Sequence, residues 1–185
     1  MIDVNALRKG TTFELDGEIY RVLEYAHNKP GRGNATIRTK VRNLRTGSTF
    51  EKTFGSGDRV QDIRIESRAM QYLYHDGDLY HFMDTDTFEQ IALDAKLLEE
   101  AIPFLKDGMS VVIQDYQGES LGIDLPVTVD LKITQSDAGV RGDTATGANK
   151  YVTVETGHRV QVPLFVNEGD TIRVDTRTGE YLTRV

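Results

Sequence analysis

The chain is 185 residues long, carries 22 Lys and Arg against 29 Asp and Glu, and contains neither Cys nor Trp. This length fits one domain or a few small ones, and the lack of Cys excludes disulfides, thiol nucleophiles and thiolate metal sites. No run of apolar residues exceeds three, which excludes a membrane helix of about 20 such residues. The first residues lack the order of a signal peptide, so we expect a cytoplasmic protein.

The predicted elements are short strands between turns. Segments such as Glu18–Leu23, Ser110–Ile113 and Thr171–Asp175 are rich in β-branched and aromatic residues. Strands this short and this regularly interrupted predict an all-β protein built from small barrels. Only Asp94–Ile102 has a helical pattern, which ends just before Pro103. The aromatic residues expected in the cores are Phe13, Tyr20, Phe50, Phe54, Phe104 and Phe165.

The first predicted hairpin has an arginine at its tip. Pro30 and Gly31 predict a turn, Gly33 relaxes the backbone again, and the alternating segment Thr36–Val41 predicts the return strand. Arg32 therefore lies at the tip with nothing bulky beside it. Its planar, permanently charged fork suits phosphates, ribose hydroxyls and base edges. An exposed turn arginine without a role fits the same residues.

Basic residues concentrate around this hairpin. Residues 27–52 contain seven basic residues and one acid, Glu51. A window of this charge can face RNA phosphates, and a solvated strand face is the alternative. The candidate phosphate contacts are Lys29, Arg38, Lys40 and Arg42.

The histidines and carboxylates form no enzyme or metal motif. His75 and His81 flank a predicted turn at 76–78, and we expect them to pack with Tyr74 and Tyr80 rather than bind a metal. No nucleophile elbow, dinucleotide fingerprint or paired-carboxylate signature is visible. We therefore expect neither catalysis, nor a cofactor, nor a metal.

Charge divides the chain into three parts. Residues 1–64 contain 12 basic and 8 acidic residues, residues 65–127 contain 3 and 13, and residues 128–185 contain 7 and 8. We place the domain boundaries near these changes, which gives modules at 1–64, 65–126 and 127–185. Modules of about 60 residues bury little surface each and favour an elongated molecule.

The second and third modules contain the same short pattern. It is Phe104, Gly108, Val111, Ile113, Gly118 and Glu119, which recur 61 residues later as Phe165, Gly169, Ile172, Val174, Gly179 and Glu180. The repeat predicts two related barrels in which one strand between two turns is used twice, and a chance match between Gly-rich hairpins is the alternative.

The third module adds a polar loop and an aromatic residue. The glycines, hydroxyls and amide of residues 139–150 can hydrogen-bond an extended nucleic acid strand, and a linker loop without a role is the alternative. Tyr181 is a candidate for base stacking, with core packing as the alternative. The loop residues of interest are Gly142, Asp143, Thr144, Ala145, Thr146 and Gly147.

A series of motifs follows the Pro-Gly-Arg-Gly tip along the chain. In order they are Asn43–Gly47, Glu51–Phe54, Gln71–Tyr74, Phe88–Gln90, Gly142–Thr144, Val160–Val166 and Asp175–Tyr181. From end to end the chain resembles the family of bacterial translation elongation factor P. The C-terminal signature from Lys150 to Gly169 is long and specific, and its departure at Val152, where the family more often has Ala, is conservative.

The resemblance implies three small barrels in an L-shaped molecule, one similar to SH3 and KOW domains followed by two oligonucleotide-binding (OB) barrels. It implies a monomeric factor that binds both ribosomal subunits beside the peptidyl-tRNA and promotes peptide-bond formation at consecutive prolines. Arg32, shaped by Pro30, Gly31 and Gly33, would reach toward the acceptor end of the peptidyl-tRNA. Residues 142–147 would lie near the small subunit and the exit-site codon of the mRNA.

Members of this family carry either Lys or Arg at the tip. Arg32 excludes the lysine-type modification at this position. Rhamnosylation of Arg32 by a glycosyltransferase and an unmodified guanidinium both stay open.

Two rival functions also stay open. A general single-stranded RNA-binding adaptor would use the same barrels without acting on peptide bonds, although the acidic middle module would repel a strand laid along it. A hydrolase would need a deep pocket that contains a carboxylate and His75 or His81.

Overall fold

The computed structural model describes residues 1–139 and 148–185, which form β-strands joined by turns and short 3-10 helices. This confirms the expected all-β class. Close contacts divide the chain into two compact units, Met1–Glu66 with Asp115–Leu121, and Ser67–Gln114 with Gly122–Val185. In the described part of the chain, no helix is long and apolar enough to cross a membrane.

The first sheet has six strands in the order β1-β6-β2-β3-β4-β5. Its long hairpin pairs β3 with β4 from Tyr20 opposite Asn43 to Asn28 opposite Thr36, with a bulge after Val22. The sheet covers a core that includes Leu7, Phe13 and Ile37. A 3-10 helix spans Val4–Ala6, and the strands are β1 (Ile2–Asp3), β2 (Thr12–Leu15), β3 (Glu18–Asn28), β4 (Thr36–Asn43), β5 (Thr49–Gly55) and β6 (Arg59–Asp62).

The other two sheets share one topology. The central sheet has the order β11-β10-β7-β8-β9 and the C-terminal sheet the order β14-β13-β12-β15-β16. In each, the first strand lies between the second and the fourth. The strands are β7 (Glu66–Asp76), β8 (Leu79–Asp84), β9 (Gln90–Asp94), β10 (Ser110–Tyr116), β11 (Glu119–Asp124), β12 (Thr128–Ser136), β13 (Asn149–Val154), β14 (Arg159–Pro163), β15 (Thr171–Asp175) and β16 (Tyr181–Arg184).

The predicted repeat is confirmed down to single hydrogen bonds. Gly108 donates its N–H to the Tyr72 carbonyl at 2.8 Å, and 61 residues later Gly169 donates to the Ile133 carbonyl at 3.0 Å. Both glycines have positive φ, +79° and +89°, a conformation that favours glycine. The two barrels therefore use the same turn to bring their fourth strand back beside the first.

The helix predicted over Asp94–Ile102 is wrong. The segment forms two 3-10 helices, Ala95–Leu97 and Ile102–Phe104, and the Asp94 carboxylate caps the first by accepting from the Lys96 N–H at 2.9 Å. A helix of this length is marginal without tertiary support. Here the buried Leu98 and Ala101 pack into the central core, and that packing sets the path of the backbone.

Two of the six aromatic residues expected in a core are exposed. Phe50, on edge strand β5, is 39% exposed and packs its ring edge against Tyr20 at 5.6 Å. Phe165 follows β14, is 57% exposed and lies under the Arg184 guanidinium at 5.4 Å. An edge strand and a turn each leave one side of the ring without a neighbour.

Phe104 joins the two barrels of the second unit. Although it follows the central segment in sequence, its buried ring belongs to the C-terminal core and meets His158 edge-on at 5.1 Å. Beside it, the Thr156 hydroxyl donates to the Pro103 carbonyl at 2.5 Å. The central and C-terminal barrels therefore share apolar contacts.

A hairpin from the central sheet packs within the first unit. Arg45 grips the Glu119 carboxylate with Nε and Nη2 at 3.0 and 3.1 Å, and it also donates to the Gly17 carbonyl. The Tyr116 hydroxyl donates to the Glu14 carboxylate at 3.3 Å. These contacts attach residues 115–121 to the first sheet.

We expect acid to weaken the C-terminal barrel through Asp175. The Arg177 guanidinium and its backbone N–H both donate to this carboxylate and lower its pKa from 3.8 to about 2. Because the folded pKa lies below the unfolded one, this stabilisation is present above the unfolded value and is lost as the pH falls through the folded value. The melting-temperature deficit of Asp175→Asn should therefore shrink from pH 5 to pH 2, and a deficit that stays constant over this range would contradict the role of this carboxylate.

Candidate nucleic-acid interface

The loop at the end of the β3–β4 hairpin displays Arg32. The last strand pair is Asn28 with Thr36, so residues 29–35 form the connection, and residues 29–34 are exposed. The base of the loop is held from the side, because the Ser56 N–H donates to the Ala35 carbonyl at 2.9 Å. Arg32 makes no hydrogen bond, ion pair or ring contact with residues 1–139 or 148–185. Its guanidinium is available to another molecule.

The two glycines beside Arg32 have different roles. Gly33 has a φ of +114°, which a residue with a side chain rarely adopts. A Cβ added at this position would have room, since its nearest atom would be Pro30 Cγ at 3.9 Å. Gly31 has an ordinary φ and open space around it. The local backbone therefore requires glycine at position 33, while position 31 is glycine without a steric reason in this fold.

Strand β4 separates its core residues from its charged ones. Ile37, Thr39, Val41 and Asn43 are buried, and the residues between them point to the other face. This strict alternation follows from the two-residue period of a strand. It places Arg38, Lys40 and Arg42 in one outward row.

The residues of this row differ in the charge of their neighbours on β3 and β5. Lys40 lies between Glu24 and Glu51, and its Nζ is 3.8 Å from a Glu24 carboxylate oxygen. Arg38 lies between Ala26 and Thr53, and its side chain makes no hydrogen bond or ion pair with the described residues. Arg38 is therefore better suited to a phosphate than Lys40.

The remaining predicted site residues are spread over the chain. Lys29 is exposed beside the tip. Arg42 lies at the far end of the β4 row, and its guanidinium reaches toward Gly47: Nη2 would lie 3.7 Å from a methyl group added to that glycine. Residues 142–147 lie outside the described residues. Tyr181 is half-buried and packs against the C-terminal core, which leaves only part of its ring for a base.

Sequence reasoning missed the exposed aromatic residues of the C-terminal barrel. Tyr151, on β13, is 50% exposed, and the Arg159 guanidinium lies 5.2 Å from its ring centre. Phe165 with Arg184 forms a second such pair. The alternation around the buried Val152 and Val154 was the signal that could have shown Tyr151 to point outward.

The histidines pack as expected. Tyr74 stacks on His81 with 4.5 Å between ring centres, and His75 stacks on Tyr80 at 5.1 Å. Within residues 1–139 and 148–185, no group of three or more His, Asp and Glu could hold a metal ion. His75 does line a cleft that also contains carboxylates, but no hydrogen bond in the described chain joins it to one. The oriented base that a hydrolase needs is therefore not assembled there.

Comparisons with known proteins agree with this architecture. Three family models match consecutive parts of the chain, the elongation factor P (EF-P) KOW-like domain over residues 3–60, the OB domain over 65–123 and the C-terminal domain over 129–184. The first sheet is thus KOW-like, and the central sheet belongs to an OB domain. None of the three matched models describes a catalytic domain.

Full-length relatives and solved structures support the same family and fold. Elongation factor P of Moorella thermoacetica is 52% identical over 184 residues, and that of Finegoldia magna is 50% identical over 185 residues, with 100% of both chains covered each time. Eukaryotic translation initiation factor 5A from Methanococcus jannaschii has a similar fold (TM-score 0.53, 24% identity, 68% of this chain and 90% of that one). A translation initiation factor eif-5a family protein from Naegleria fowleri also has a similar fold (TM-score 0.51, 15% identity, 67% of this chain and 96% of that one). The chain belongs to the elongation factor P family of translation factors.

Proposed function

We propose that this translation factor binds the ribosome in the cytoplasm beside the peptidyl-tRNA and promotes peptide-bond formation at consecutive prolines by positioning the tRNA acceptor end. The observation that carries the proposal is Arg32, exposed and without partners in the described chain, at the end of a long hairpin in a member of this family. The strand limits and the family models support modules at 1–64, 65–126 and 127–185.

The physical basis of the proposed activity is orientation. Proline is a secondary amine with a locked φ, so two in succession align the attacking nitrogen and the ester carbonyl poorly. Holding reactants in a near-attack geometry is worth up to about 7–11 kcal/mol in model reactions. A guanidinium held on the acceptor RNA can supply part of that orientation without taking part in the chemistry.

The body of the hairpin would hold the factor on RNA. Arg38 and Arg42 lie in the outward row of β4, on the same hairpin that carries the tip. Lys29 adds a cation next to the loop, and we include Lys40 as a weaker contact because of its pairing with Glu24. Residues 142–147 stay assigned to the small subunit and the exit-site codon as part of this proposal.

The direct test is translation in a reconstituted system. Adding the protein should raise full-length product from a template with consecutive prolines and leave a proline-free template of equal length unchanged. Equal stimulation of both templates, or of neither, would contradict the proposed function.

We expect Arg38 to contribute a phosphate contact to ribosome binding. Arg38→Gln should lower the affinity and reduce the slope of log affinity against log salt by about 0.7–0.9, the value for one neutralised phosphate. Lys40→Gln should have a smaller effect because Lys40 is already paired with Glu24. Sedimentation binding to ribosomes over a range of salt measures both, and equal slopes for Arg38→Gln and the unaltered protein would refute the contact.

The chemical state of Arg32 has its own measurement. Intact mass and peptide mapping of residues 28–38 from the natural host should give either the unmodified peptide or one carrying a single deoxyhexose. The second result would add a glycosyltransferase to the partners of this chain.

The competing function is a general single-stranded RNA-binding adaptor. The outward Tyr151 ring of the C-terminal barrel favours it, since an exposed aromatic ring is a common platform for a base, while the Arg159 guanidinium beside it is already paired with the Asp137 carboxylate. Tight binding of free oligonucleotides, unaffected by Arg32→Ala and without any effect on proline templates, would support the adaptor instead.

A further inference from the structure

A cleft in the second unit carries groups that the proposed function does not use. It has a volume of about 330 Å3 and opens between the β7–β8 hairpin of the central barrel and the turn at Glu155 and Thr156 of the C-terminal barrel. Its apolar floor includes Leu105. Its aromatic lining consists of Tyr72, Tyr74, His75 and Tyr80.

The Tyr72 hydroxyl is the unusual group in this cleft. The side chain is 1% exposed, yet it makes no hydrogen bond with the described residues. No side-chain oxygen of those residues is both fully enclosed and without a partner, so the Tyr72 oxygen keeps some accessible surface, and we infer that this surface faces the cleft that Tyr72 lines. A hydroxyl that keeps some accessible surface beside a cavity, in a side chain otherwise enclosed, offers an acceptor for a ligand's polar group.

The charge beside this hydroxyl is negative. Asp107 lines the cleft and forms no ion pair or hydrogen bond within residues 1–139 and 148–185. Burial, and then the Asp107 charge, raises the pKa of Tyr72 to about 12, so the phenol stays protonated. Glu155 is already engaged, since it lies 3.7 Å from Lys106 and accepts from the Lys132 N–H at 2.9 Å. Asp107 is therefore the carboxylate left for a ligand.

Together, these features favour a planar cation that carries several N–H donors. Aromatic faces attract cations, a free carboxylate accepts a forked pair of N–H donors, and a phenol oxygen accepts a further one. The surrounding residues 65–127 contain 13 acidic and 3 basic residues, so a phosphate-bearing ligand would be repelled. We propose that this cleft binds the guanidinium of an arginine presented by a basic segment of a protein partner.

The proposal does not depend on the proposed role at prolines. It assigns to the second unit a protein contact, whereas the hairpin of the first unit is assigned to RNA. The guanidinium would stack against the exposed Tyr74 ring, direct its fork at Asp107 and donate to the Tyr72 oxygen, since Tyr80 is already stacked with His75 and Tyr72.

The test uses a probe and its neutral isostere on the full-length protein. N-acetyl-arginine methylamide should shift the aromatic NMR signals of Tyr72 and Tyr74 with saturation at millimolar concentration. N-acetyl-citrulline methylamide, which replaces the guanidinium by a urea, should bind at least tenfold more weakly. Equal binding of the two probes would overturn the proposal, and so would equal binding of the corresponding lysine derivative, whose ammonium has no fork.

Variants of the protein test the assigned groups. Asp107→Asn should weaken the arginine probe about tenfold and Tyr72→Phe several-fold, because each keeps the size of the side chain and removes one acceptor. Glu89→Gln removes an exposed carboxylate of the same module outside the cleft and serves as the matched control. An effect of Asp107→Asn no larger than that of Glu89→Gln would place the probe elsewhere and refute the site.

Discussion

Arg32→Ala should reduce the stimulation of synthesis through consecutive prolines by at least about tenfold, equivalent to about 1.4 kcal/mol of transition-state stabilisation. The reason is that Arg32 has no partner in the described chain, so its removal takes away contacts with another molecule and leaves the fold intact. Arg32→Lys should recover only part of the effect, because an ammonium lacks the planar fork. The measurement is full-length product from proline-rich and proline-free templates.

The matched control for this prediction is Arg64→Ala. Arg64 is exposed, belongs to the same module and makes no hydrogen bond or ion pair with residues 1–139 and 148–185, so its replacement removes the same charge away from the tip. This variant should retain nearly full activity. If the two alanine variants behave alike, net charge rather than the tip residue is responsible, and the assignment of Arg32 fails.

Phe104→Ala should be the most destabilising single truncation at the contact between the two barrels of the second unit. Replacing a buried Phe by Ala typically costs about 3–5 kcal/mol, from lost burial and the cavity left behind. The ring of Phe104 contributes to the C-terminal core and supports His158. Urea unfolding followed by circular dichroism, together with the denaturant dependence of the transition, measures the loss in free energy of unfolding.

Phe165 provides the internal control for Phe104. It occupies the equivalent place in the sequence repeat, but it is 57% exposed and contacts the Arg184 guanidinium. Phe165→Ala should therefore cost about 1 kcal/mol or less. Similar losses for the two variants would mean that Phe104 does not connect the barrels as its contacts indicate.

Local sequence patterns predicted the strands and the repeat well. Gly108 and Gly169 were recognisable because a turn with positive φ favours glycine, and the 61-residue spacing then predicted equivalent strands. The helix predicted over Asp94–Ile102 was wrong because the spacing of its apolar residues also fits two 3-10 helices packed on a barrel. The difference lies in tertiary packing, which no local pattern contains.

The candidate site was predictable only in part. The exposure of Arg32 followed from the turn residues around it, whereas the difference between Lys40 and Arg38 depends on which residues of β3 and β5 lie beside them. Strand register is set over long sequence distances, so Glu24 and Glu51 could not be assigned to Lys40 beforehand. The same holds for the cleft, whose lining joins Tyr72 to Glu155 across the chain.

The ion pair between Arg45 and Glu119 determines which fragments of this protein can be studied on their own. A fragment ending at residue 66 would lack Glu119 and Tyr116, leaving Arg45 without its carboxylate and Glu14 without its phenol. It would uncover the Arg45 and Glu14 charges, with Arg45 at the end of the β3–β4 hairpin opposite to the Arg32 tip. Because residues 115–121 belong to the same compact unit, binding sites are best mapped by point substitution in the whole protein.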